Sequence, residues 1–214
     1  MKTKFELIRE LLFKYSRFGI KKTMNGATLI GHPDYLKEDW WLVELFPQLN
    51  IDDIASIEKE VSVKFPESYV YFLRNISNGL IFQFGTFALY GYVPDFNRNI
   101  ECRLPFDMYI PNIYERENIS NLRQNFFVIG GYDYDGSQLY MDTNTGRVFL
   151  CSNTDSAPLY HWETFEDMLL SELKRLYCLY TEDGRCLVFG VNPMSPFTIA
   201  KSVFCIARCK LSFW

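Results

Sequence analysis

A chain of 214 residues with 48% apolar and 17% aromatic side chains can bury one large core without help from metals or disulfides. Its net charge of −4 and pI near 5.3 are opposite to the basic footprint that nucleic-acid binding requires, so nucleic acid is excluded as a partner. Cysteines at 102, 151, 178, 186, 205 and 209 form no CxxC pair and are accompanied only by His32 and His161, so reduced thiols in a cytoplasmic protein are expected, with no metal and no cofactor.

The first residues lead into a charged helix instead of a signal sequence, and no long apolar run lacks charge, so neither export nor a membrane span is expected. In that helix Phe5, Ile8, Leu12 and Tyr15 form one stripe, with Leu11 and Phe18 beside it and basic residues on the far side. Residues 1–24 hold seven Lys or Arg against Glu6 and Glu10, a net +5. A docked helix explains this, since its outer face needs solvation anyway; membrane-surface binding is the alternative. Gly31-His32-Pro33 marks a loop. Trp40 and Trp41 cannot face the same way on a helix, so one is assigned to the core and the other to solvent.

Asn50 to Gly79 reads as two short helices. Asn50 caps the first, Asp52 and Asp53 suit its positive end, and Ile54, Ile57 and Val61 share a face. Phe65-Pro66 breaks it, and Pro66 is placed at the first position of the second, whose buried stripe is Tyr69, Phe72, Leu73 and Ile76. Asn78-Gly79 supplies a left-handed stop. One or two bent strands follow over Leu80 to Tyr92, interrupted by Gly85 and Gly91, and residues 94–112, with Pro94, Pro105 and Pro111, read as an inserted loop. Strands at Phe126–Ile129, Ser137–Asp142 and Arg147–Cys151, separated by turns at Asp135-Gly136 and Thr143–Gly146, predict an antiparallel meander. Thr164 opens a closing helix whose inner side carries Phe165, Met168, Leu169, Leu173, Leu176 and Tyr177. Beyond Gly184, Ser195-Pro196 reads as a helix start while residues 203–207 would also serve as a strand; on a helix, Cys205 and Cys209 would share a face.

The order of these motifs resembles the SUKH superfamily, which includes bacterial immunity proteins against polymorphic toxins and fungal Smi/Knr regulators of cell-wall synthesis. The resemblance is carried by Glu58, Pro66, Tyr69, Phe72, Leu73, Asn78 and Gly79, then by Gly130, Gly136, Gly146, Phe165 and Leu169, and covers roughly residues 40 to 177. Phe65 and Leu80 stand where the family usually has an aliphatic residue and a further glycine. The resemblance implies an α+β fold, an antiparallel sheet packed against flanking helices. The expected organisation is an N-terminal basic helix and joint over 1–39, a SUKH-like domain over 40–180, and a C-terminal extension over 181–214 on the same domain. It also implies a non-enzymatic protein-binding module, an immunity protein that binds and neutralises a cognate polymorphic toxin, with an intracellular regulatory module of the Smi/Knr type as the alternative.

Catalytic constellations are thin. Asp133, Asp135 and Asp142 suggest a calcium loop, but its sixth position is Gln138 where an EF-hand requires glycine. Gly130-Gly131 is followed by no GK[ST], no GxSxG elbow exists, and His161 has no nucleophile at a useful spacing. The one enzymatic alternative is convergence of Asp133, Asp142 and Glu163 as in glycoside hydrolysis. Residues 133–172 carry eight carboxylates against Arg147, a net −7, which suits a basic partner such as a nuclease toxin. Part of that charge is ordinary dipole matching, because Glu163, Glu166 and Asp167 sit at the start of a helix that ends in Lys174-Arg175. Tyr132, Asp133, Tyr134, Asp135, Asp142 and Asp155 are therefore the expected partner-binding rim, against the alternative of a merely solvated turn.

Overall fold

The computed structural model describes residues 2–94, 99 and 101–188. Within them a single antiparallel sheet runs in strict chain order: β1 (Ile20–Lys22), β2 (Thr28–Ile30), β3 (Val43–Leu45), β4 (Leu80–Phe82), β5 (Phe87–Leu89), β6 (Phe126–Gly131), β7 (Gln138–Asp142), β8 (Val148–Cys151) and β9 (Tyr160–Trp162). Helices α1 (Lys4–Leu12), α2 (Ile51–Glu60), α3 (Glu67–Asn75) and α4 (Phe165–Tyr177) place their apolar sides against the inner face of this sheet. This is the α+β architecture that the motif order predicts. The expected stripe of Tyr69, Phe72, Leu73, Phe165, Leu169 and Leu173 is buried throughout, and Phe165 joins α3 to α4 with its ring 5.1 Å from Tyr69 and 5.2 Å from Phe72.

Local chemistry explains the helix boundaries. The Asn50 side chain accepts the N–H groups of Asp52 and Asp53, both at 2.8 Å, and the Asp53 carboxylate accepts the Asn50 N–H in return, which closes a capping box on α2. Glu58, part of the family motif, reaches across the α2–α3 corner to accept the Phe65 N–H at 2.8 Å. Pro66 is the N-cap of α3, one place earlier than expected. Helix α3 ends at Asn75 with Ile76 as its C-cap, so Asn78-Gly79 lies beyond it and serves the entry to β4 instead of the expected stop. Asn78 pairs with the backbone of Tyr92 through its amide oxygen and nitrogen, both at 2.8 Å, and Gly79 adopts φ +95° where a side chain would meet Leu89 O at 2.9 Å. Trp41 is 8% exposed and Trp40 48%, the split expected of adjacent tryptophans.

The strands β1, β2, β3 and β9 are absent from the sequence reading. Each has only three residues, too few to show a period of two, and β1 is exposed along its whole length. The segment over 1–39 thus supplies two sheet strands as well as α1. That helix lies against α4, where the Tyr177 hydroxyl donates to Leu11 O at 2.6 Å. Among the described residues no helix is long and apolar enough to cross a membrane. Ser195-Pro196, residues 203–207, Cys205 and Cys209 lie outside the described residues.

The inserted segment covers the outer face of the sheet. Alternation along β6 sends Phe127 and Ile129 into the main core and Phe126 and Val128 outward, where they meet Tyr140, Cys151, Ile119 and Leu122. Only Gly130 and Gly131 of β6 pair with β5, so the preceding residues need other partners. Buried Asn112 provides them by accepting the Val128 N–H at 2.7 Å and donating to Val128 O at 2.8 Å, while Arg116 donates to Phe126 O at 3.0 Å. Two side chains thereby stand in for a missing strand.

Candidate partner-binding surface

Residues 132–137 join β6 to β7, and an anchor beneath this turn decides what it presents. Tyr132 is buried, and its hydroxyl donates to Glu172 Oε2 at 2.7 Å. Glu172 lies on the inner side of α4 at 2% exposure and also accepts Arg175 Nη2 at 2.6 Å and Nε at 3.0 Å. Burial, reinforced by the Glu172 carboxylate, holds the Tyr132 hydroxyl well above the ordinary tyrosine range, so it stays a donor. Burial also opposes the charge of Arg175, but Glu172 outweighs that and keeps the guanidinium protonated. Tyr134 packs its ring 5.5 Å from that of Tyr132. The turn closes where Asp135 Oδ1 accepts the Ser137 N–H at 2.9 Å and its hydroxyl at 2.6 Å, beside Gly136 at φ +69°.

Two acidic residues are left exposed on this turn, Asp133 and Asp135, the latter with one carboxylate oxygen turned back to Ser137. Partial burial raises the Asp133 carboxyl above the usual aspartate range, against the opposing effect of nearby backbone N–H groups. The β8–β9 connection lies at the same end of the sheet, as the contact between Gly136 and Asn153 shows. There Asp155 accepts Asn121 Nδ2 and the Ala157 N–H, both at 2.9 Å, and these bonds hold its carboxyl below the usual range.

Asp142 is elsewhere. It ends β7 at the opposite end of the strands, about 17 Å from Ser137 at roughly 3.4 Å per residue. Buried, it caps its own turn by accepting Asn125 Nδ2 at 2.6 Å and the Asn144 N–H at 2.9 Å. Of the six residues expected on one rim, Tyr132 and Asp142 are therefore interior, and Asp142 does not join the rest. The same geometry separates the proposed catalytic carboxylates. Asp133 stands at one end, while Asp142 and Glu163 stand at the other, where Glu163 accepts Arg147 Nη2 at 2.9 Å. Among the described residues no three His, Cys, Asp or Glu side chains are placed to hold a metal ion.

Beside the turn, on the outer face, lies a groove of about 360 Å³. Its walls are the β4–β5 bend, with Phe84 and Gly85, and the inserted segment with the residues just after it, Phe106, Asp107, Ile110, Pro111 and Glu115; Ala88, Tyr90 and Gln138 form the floor and Asp133 the rim. Gln83 and Phe84 both have positive φ, +49° and +63°, and this turns the Phe84 ring outward against Trp40 at 4.9 Å. Gly85 signals a bend in the sequence, but the left-handed conformations of Gln83 and Phe84 beside it leave no local signature, so sequence reasoning missed the outward turn of the Phe84 ring. It also missed the Glu172–Arg175 pair, although a signal exists: Glu172 falls seven residues after Phe165 on the buried line of α4.

No curated protein matches the chain. Residues 48–171 match the SMI1/KNR4 family (SUKH-1), a span that runs from the residues just before α2 to the middle of α4 and takes in the Asn112 support and the 132–137 turn. With more than half its length matched and the expected α+β fold in place, the chain belongs to the SMI1/KNR4 family (SUKH-1).

Proposed function

We propose that this chain is a non-enzymatic immunity protein that binds a toxin domain in the cytoplasm and blocks it. The observation that carries the reading is the acidic end of the sheet, where Asp133 and Asp135 are held outward by a buried anchor and Asp155 lies alongside. An arrangement of fixed negative charge speeds encounter with a basic partner and penalises wrong ones, which is what toxin neutralisation requires. Membership of the SUKH-1 family supports it further. The test is protection: a toxin domain encoded beside this gene is expressed in a sensitive host with and without the chain. Restored growth together with a stable complex by gel filtration is expected; growth arrest despite soluble chain would refute the reading.

The family description favours a second reading, a regulatory module of the Smi/Knr type. It predicts a protein partner but no toxin gene beside this one, and a changed cell-wall phenotype on deletion.

A further inference from the structure

The groove at the acidic end has an unusual combination of lining groups. Phe84, Phe106 and Ile110 are 42, 49 and 43% exposed, far more than such side chains need to be if they served only packing. Around them stand Asp107, Glu115 and Asp133, and among the described residues lining the groove there is no lysine or arginine. The nearest guanidinium in sequence, Arg116, is turned away to the backbone carbonyls of Phe126, Arg123 and Gln124. Aromatic faces offer area and a cation–π surface, and uncompensated carboxylates offer a field; together they complement a cation on an apolar stem. A hydrophobic peptide would leave the carboxylates poorly solvated, and an acidic one would be repelled.

We infer that the groove seats an arginine or lysine side chain, carried on an apolar stretch of the partner protein. The identity of that partner as a toxin rests on the function proposed above; the chemistry of the seat does not. Because most of one wall comes from residues 106–115, partner choice is set there, while β5 and β7 supply the floor.

The test uses a phage-displayed library of random peptides panned on the full chain. Selected peptides are expected to carry Arg or Lys next to apolar residues. The best of them, synthesised and measured by calorimetry, should bind at least about tenfold more weakly to Asp133→Lys/Glu115→Lys and to Phe106→Ala, and about equally well to the control Glu163→Lys at the far end. These residues are exposed, and circular dichroism checks that each variant is folded. Selection of peptides without cations, or affinity unchanged in both groove variants, overturns the seat. A toxin that still binds the Asp133→Lys/Glu115→Lys variant at full strength also removes the groove while leaving the immunity function standing. Groove-dependent peptide binding supports the seat even in a chain that neutralises no toxin, an outcome that would remove only the partner's identity.

Discussion

Replacing Glu172 by alanine would remove the acceptor that two buried groups share. Arg175, 10% exposed at its side chain, would keep its charge without the Glu172 carboxylate, and the Tyr132 hydroxyl would lose the acceptor it has among the described residues. Breaking a buried ion pair from one side costs about 3–5 kcal/mol, because the surviving charge stays desolvated. That is a large part of the 5–15 kcal/mol typical of a whole domain. Replacing both partners, as Glu172→Leu/Arg175→Met, removes the charge along with its partner and should cost far less, within about 1–2 kcal/mol of the parent chain. Urea melts at constant m would measure both, and hydrogen exchange would follow the 132–137 turn, which should open in the single variant first. A loss under about 1 kcal/mol for Glu172→Ala, or a double variant as unstable as the single one, would refute the anchor.

Further variants probe the sheet and its outer cover. Gly130→Ala would put a methyl group 2.2 Å from Ala88 O, so a loss of about 3 kcal/mol or more, or failure to fold, is expected in the same melts. Asn112→Ala orphans the Val128 N–H and carbonyl at about 1–3 kcal/mol for each group, and faster amide exchange at Val128 would report it. Phe72→Ala or Leu169→Ala should cost about 2–5 kcal/mol by denaturant titration. Burial, only partly offset by Arg103, raises the Glu44 carboxyl above its ordinary range. The native state then holds a proton that the unfolded chain has lost, so stability falls as pH rises through the window between the ordinary and the raised pKa; Glu44→Gln should flatten that part of a stability-against-pH curve.

The helices were legible in the sequence because their signals are local. The capping box at Asn50, the proline break at Pro66 and the stripe from Tyr69 to Leu73 each follow from neighbours within a turn or two. The hairpins over 126–151 were legible for the same reason, since their turns carry Asp-Gly and Thr-Gly signals. The three-residue strands β1, β2, β3 and β9 were not, because each is too short to show a period of two. The rim was half legible. Charge density predicts that carboxylates gather on this region, but alternation along β7 and the direction of each hairpin decide which end receives them, and that placed Asp142 opposite Asp133 and Asp135. The groove was hidden because it joins a left-handed bend at Phe84 to a segment more than twenty residues later.

The most direct test of the whole account is the affinity of the purified toxin domain for the native chain and for Asp133→Lys/Asp135→Lys, measured by surface plasmon resonance at low and high salt. Expected are a folded variant whose melting temperature falls only by what the lost Asp135–Ser137 bonds contribute, slower association and weaker binding at low salt, and a difference that shrinks as salt screens the field. A folded variant that binds as tightly as the native chain at low salt would contradict it.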